Sequence, residues 1–106
     1  MKQMLSILTV LITVILSGQS AQAQDNWTLK NPATKPSPRV GHMIAFLGGD
    51  QMLLFGGSDG SRSDETWVYD LSDNTWTLKS PATKPSARWY SGMATLGGDQ
   101  VLLFGG

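Results

Sequence analysis

The sequence predicts an all-β chain built from repeated four-stranded antiparallel sheets, and three observations predict it. The chain repeats itself at a fixed offset of 49 residues. Each copy is a series of short apolar runs of strand length. Prolines and glycine pairs interrupt every window long enough to hold a helix.

The repeat is gap-free. Trp27, Thr28, Leu29 and Lys30 return as Trp76, Thr77, Leu78 and Lys79, and residues 32–37 (PATKPS) return as 81–86. Arg39 returns as Arg88, residues 47–51 (LGGDQ) as 96–100, and residues 53–57 (LLFGG) as 102–106. A match of this extent marks one structural unit used more than once.

Within a unit the elements follow in order. Residues 42–47 form an apolar first strand, closed by Gly48-Gly49-Asp50, where glycine supplies the positive φ of a hairpin turn. Residues 51–55 are nearly all apolar, as a strand covered on both faces must be, and stop at Gly56-Gly57. Residues 65–71 place Trp67, Tyr69 and Leu71 on one face and Thr66, Val68 and Asp70 on the other, before the turn residues Ser72, Asp73 and Asn74. Residues 75–79 make the fourth strand, so that Trp67, Tyr69 and Trp76 are available for cross-strand aromatic packing.

The first 23 residues read as an address. Lys2 precedes an apolar run over residues 4–16, shorter than the ~20 residues of a membrane-spanning helix. Ala21-Gln22-Ala23 has the small-residue form that signal peptidase accepts, so cleavage after Ala23 is expected, with Gln24 as the mature N-terminus. The predicted location is secreted, periplasmic or cell-surface, with no membrane insertion after cleavage. Residues 24–106 are then a partial repeat array. Residues 24–39 hold a fourth strand of a preceding or closing unit and a linker, 40–79 a complete unit, and 80–106 a linker and the first two strands of the next.

Composition narrows the functional classes. Of the 106 residues 41% are hydrophobic and 15% charged, which suits a globular, turn-rich chain rather than a disordered one. Eight basic and eight acidic residues cancel and are scattered, so nothing marks a nucleic-acid or anionic-membrane partner. The absence of cysteine removes disulfides and thiolate chemistry, and the single histidine, His42, cannot build a multi-histidine metal site. No catalytic residue, metal site or cofactor is assigned.

Four antiparallel strands in about 50 residues match the blade of a kelch propeller. Residues 52–55 form an apolar run ending in Gly56-Gly57, followed by Tyr69 and Trp76, and Gly105-Gly106 repeat the glycine pair. In these residues the chain resembles the kelch-repeat β-propeller family, whose members include the central domain of galactose-oxidase-like proteins. Gly56, Gly57, Tyr69, Trp76, Gly105 and Gly106 are its structural motif. Arg39 precedes His42 in the Arg-x-x-His form often seen entering the first kelch strand, whereas Arg88 precedes Ser91. Trp89-Tyr90 stands where the first copy has Val40-Gly41.

The resemblance implies a ring of 4 to 8 blades, which needs on the order of 200 residues or more, so the chain is expected to be a fragment of one. A mature chain starting on a fourth strand implies either that this strand completes the last blade and closes the ring or that, in a truncated product, it hangs off the first blade. The isolated chain is expected to expose apolar sheet faces and to self-associate.

Strand parity puts two long connections on the same rim: residues 58–64, and residues 31–38 with their copy 80–87. Binding residues concentrate on such loops. The candidates are Asp59, Arg62 and Asp64, with Arg39, Arg88, Trp89 and Tyr90 near the mouth of the first strand. The expected function is an extracytoplasmic binding module for a protein or carbohydrate. The alternatives are part of a propeller enzyme, a sialic-acid mutarotase-like isomerase or a galactose-oxidase-like oxidase with its active site in other blades, and a structural surface protein.

Overall fold

The computed structural model describes residues 26–106. The expected signal segment, the Ala23 cleavage point and Gln24 lie outside the described residues. The chain divides into Met1–Lys30 and Asn31–Gly106. In the first unit the described residues carry no strand: Trp27 and Leu29 are exposed, and residues 27–30 pair with none of the described strands. A fourth strand needs a third strand beside it, and no described strand takes that place.

The second unit is all-β. Its strands are β1 (Met43–Gly48), β2 (Gln51–Phe55), β3 (Thr66–Asp70), β4 (Thr75–Lys79), β5 (Gly92–Gly97) and β6 (Gln100–Phe104). The first four form one sheet in chain order, every neighbour antiparallel, and β5 and β6 form a hairpin. The bounds of β2 and β4 are those the sequence predicts. β1 runs one residue later than predicted, because His42 stays outside the ladder and the register shifts between Phe46 and Gly48 to admit an extra residue. β5–β6 repeats this shift between Thr95 and Gly97. Leu71, expected on the face of Trp67 and Tyr69, instead opens the turn and is exposed, its N–H donating to the Asp50 carbonyl at 2.9 Å.

The turns are built by local polar groups. The Asp70 carboxylate accepts from the Ser72 N–H at 2.9 Å and from its hydroxyl, and Asn74 takes the left-handed conformation at φ 54°. The Tyr69 hydroxyl donates to Asn74 Oδ1 at 2.7 Å, and its ring lies 5.0 Å from that of Trp76, directly opposite across the ladder. An aromatic pair in this position stabilises a sheet by roughly 0.5–1.5 kcal/mol.

Register assigns the faces, since directly opposed residues point the same way. Met43, Ala45, Leu53, Phe55, Thr66 and Val68 share one face. β5–β6 packs on it with Met93, Val101 and Leu103, and together with Leu53, Phe55, Thr66 and Pro85 they line an apolar gap of about 180 Å³. Met43, Ala45, Phe55 and Val68 are buried there. On the other face of the first sheet, Leu54 and Trp67 are buried, while Ile44, Phe46 and Leu78 are exposed. Four of the six buried apolar residues therefore lie between consecutive copies, where one sheet covers the next.

Candidate functional site

The two long connections meet on one rim, tied by backbone hydrogen bonds. Val40 and Ser58 exchange a pair of bonds at 2.9 and 2.8 Å, and the Ser63 N–H closes the 58–64 loop on the Gly57 carbonyl at 2.8 Å. The next copy enters the same network. The Arg88 carbonyl accepts from Gly57 at 3.0 Å, and the Arg88 N–H donates to the Ser63 carbonyl at 3.2 Å. This contact explains the glycine at 56: a Cβ there would sit 2.5 Å from the Arg88 carbonyl oxygen.

Arg39 and Arg88, expected among the binding residues, both hydrogen-bond to the chain's own backbone. Arg39 donates to the carbonyls of Ser37 and Gly56 at 3.2 and 3.1 Å and to the Ser37 hydroxyl at 3.1 Å, and pairs with Glu65 Oε2 at 2.9 Å. Its side chain is 5% exposed. Arg88 repeats the device on Ser86 and on the Gly105 carbonyl at 3.0 Å. In both copies a planar five-donor fork clamps the glycine that ends the second strand to the segment entering the first.

The clamp extends to two residues that sequence reasoning missed. Glu65 Oε2 also accepts from the Trp67 indole at 3.1 Å; the indole and then the Arg39 guanidinium hold its carboxyl below the ordinary value of 4.5. The Ser37 hydroxyl donates to Asp59 at 2.6 Å and is the main cause of that exposed carboxyl's lowered pKa. The available signal was the repeated spacing of Ser37 to Arg39 and Ser86 to Arg88.

The remaining candidates are exposed or half-exposed. Arg62 enters none of the described side-chain hydrogen bonds or ion pairs. Asp64 pairs with Lys84 at 3.3 Å, joining the 58–64 loop to the 80–87 linker through a solvent-screened contact. Trp89 and Tyr90 form a tilted pair with ring centroids 5.2 Å apart, and Tyr90 is 70% exposed. The Tyr90 N–H donates to the Gly41 carbonyl at 2.8 Å, and its ring comes so close that a Cβ on Gly41 would lie 3.0 Å from it. Tyr90 occupies the left-handed region at φ 52°, where the first copy has Gly41 at φ 67°. An aromatic residue held there costs on the order of 1–3 kcal/mol, strain that accumulates at sites with other work to do.

His42 is exposed, and among the described residues no group of three or more His, Cys, Asp or Glu is placed to hold a metal ion. A shallow groove of about 470 Å³ runs between Pro32–Thr34 and the strand residues Thr75–Thr77, away from the charged loop residues.

A four-stranded antiparallel sheet, the first half of a second stacked on its face, and long loops joined along one rim define the blade array of a propeller-type repeat protein. Residues 19–106 match the KLHDC2/KLHL20/DRC7 Kelch-repeats domain, and the chain belongs to the kelch-repeat family. No curated protein and no solved structure matches it significantly.

Proposed function

We propose that the chain serves as a protein-interaction module, acting outside the cytoplasm, and that its partner binds the loop-bearing rim. The observation that carries this reading is the strained, solvent-exposed Trp89-Tyr90 pair, set beside a loop whose backbone is tied to the same segment and whose Asp59 and Arg62 side chains face solvent. Large aromatic surface flanked by charge is what protein-binding surfaces concentrate. The extracytoplasmic placement rests on the apolar run and Ala-Gln-Ala site of the first 23 residues, and N-terminal sequencing that finds Gln24 supports it.

The binding test is a comparative pull-down. Proteins recovered with the wild-type chain are compared with those recovered by a Trp89→Ala/Tyr90→Ala variant, an Asp59→Ala/Arg62→Ala variant and an Asp73→Ala variant on the opposite turn. A partner lost with both rim variants and kept by Asp73→Ala supports the reading. Binding indifferent to the rim, or glycan-array binding without any protein partner, overturns it.

A further inference from the structure

Building on the rim reading, which it presupposes, we infer that the partner of the loop-bearing rim presents an acidic protein surface. Charges that cancel in the sequence are sorted by the fold onto opposite rims.

Strand direction does the sorting. β1 and β3 run away from the loop rim, and β2 and β4 run back to it, so a residue's place along its strand fixes its rim. All six Lys and Arg of the Asn31–Gly106 unit stand at the loop end: Lys35, Arg39, Arg62, Lys79, Lys84 and Arg88. The turn end holds Asp50, Asp70, Asp73 and Asp99 and, among the described residues, no cation. This division belongs to the repeating unit. Lys35 and Arg39 return as Lys84 and Arg88, and Asp50 returns as Asp99. It depends on position along a strand and not on how much of a sheet face is covered.

The loop rim also carries three carboxylates, each already engaged. Glu65 pairs with Arg39 at 2.9 Å, Asp64 pairs with Lys84 at 3.3 Å, and Asp59 accepts from the Ser37 hydroxyl at 2.6 Å. Arg62 and Lys79 are exposed and enter none of the described side-chain hydrogen bonds or ion pairs. Both lie beside the start of β3: Arg62 in the loop that leads into it, and Lys79 across the ladder from Thr66. On the turn rim no described cation balances the carboxylates. Asp70 is held below the usual carboxylate range by the Ser72 hydroxyl and then by Gln51, hydrogen bonds that leave its charge in place.

A carboxylate-rich surface is therefore attracted at the loop rim and repelled at the turn rim. Opposed fields of this kind steer and orient an encounter, and they discriminate against partners of the other sign. A cationic partner would meet the reverse field and be drawn away from Trp89 and Tyr90.

Fluorescence anisotropy with a labelled oligoglutamate peptide tests the sign of the partner. The full chain is expected to bind it with an affinity that falls about 10-fold between low and physiological salt, and to leave an oligoglutamine peptide of the same length unbound. Arg62→Glu/Lys79→Glu should weaken oligoglutamate binding at least ~10-fold, Arg62→Gln/Lys79→Gln by less, and Asp73→Asn on the turn rim should change it under about two-fold. An unaltered far-ultraviolet spectrum shows each variant folded. Failure to bind oligoglutamate, equal binding of oligoglutamine, or a charge reversal without effect overturns the inference. Tighter, equally rim-dependent binding of chondroitin sulfate overturns it too, by making the ligand an acidic polysaccharide. The same reversal in the comparative pull-down separates the two readings. A partner kept by Arg62→Glu/Lys79→Glu but lost with Trp89→Ala/Tyr90→Ala leaves the rim reading standing and refutes the acidic partner.

Discussion

Phe55 and Phe104 end the corresponding strands of successive copies, which differ only in Met52 and Val101, yet one is 2% exposed and the other 82%. Nothing in the local sequence separates them. The difference is the hairpin that lies on the first sheet and has no counterpart on the second among the described residues. Burial in this molecule belongs to the neighbour as much as to the residue, as it does in repeat arrays, where each unit is stabilised by its interfaces.

The largest effect expected follows directly. Phe55→Ala should destabilise the fold by about 3–5 kcal/mol, and Phe104→Ala by under about 0.5 kcal/mol, measured by urea unfolding under conditions that keep the chain monomeric. Equal costs would show that the second hairpin contributes no covering interface.

The arginines supply a second pair. Arg39→Ala removes four hydrogen bonds, one of them to a carboxylate, and should cost about 2–3 kcal/mol. Arg39→Lys should recover less than half of that, because a point ammonium cannot reach the same acceptors together. Arg88→Ala, at a half-buried position without a described carboxylate partner, should cost about 1 kcal/mol in the same titration.

Gly41 and Tyr90 differ more subtly, sharing a left-handed backbone with opposite side chains. Gly41→Ala should destabilise by about 1–2 kcal/mol, through both its φ and the Tyr90 ring. Tyr90→Gly should move stability by less than about 1 kcal/mol, since relief of the backbone offsets the lost ring contact, while abolishing partner binding. Thermal unfolding and the pull-down together read both quantities.

The smallest effect concerns pH. Glu65 binds its proton less readily in the folded chain than in the unfolded one, so its stabilising contribution is complete above the unfolded value near 4.5. That contribution is lost as pH falls through the lower folded value. Glu65→Gln should therefore flatten the acid limb of a stability profile and leave the neutral region lower than wild type. An unchanged acid limb would mean that the indole and guanidinium do not favour the carboxylate.

Much of this architecture is legible in the residues. Strand number, order and antiparallel pairing follow from the apolar runs and the glycine turns, and the two faces of β5–β6 follow from period-two alternation once the repeat is seen. The arginines are harder. Charge and position near a strand mouth place them with ligand-binding residues, but their partners are carbonyls of Gly56 and Gly105, brought within reach by positive-φ backbone at the end of another strand. No alternation pattern reports that distance. The strain at Tyr90 is visible only by setting the copies side by side, where an aromatic stands in a glycine's place.

The arginine that enters each sheet grips the close of that sheet's own second strand, so every copy carries its own buckle. A duplicated segment arrives with its own lock, and still needs a neighbour to cover its apolar face. An array made this way can grow or shrink by whole units during evolution, and its freedom to diversify falls on the few outward-facing positions that the buckle leaves alone.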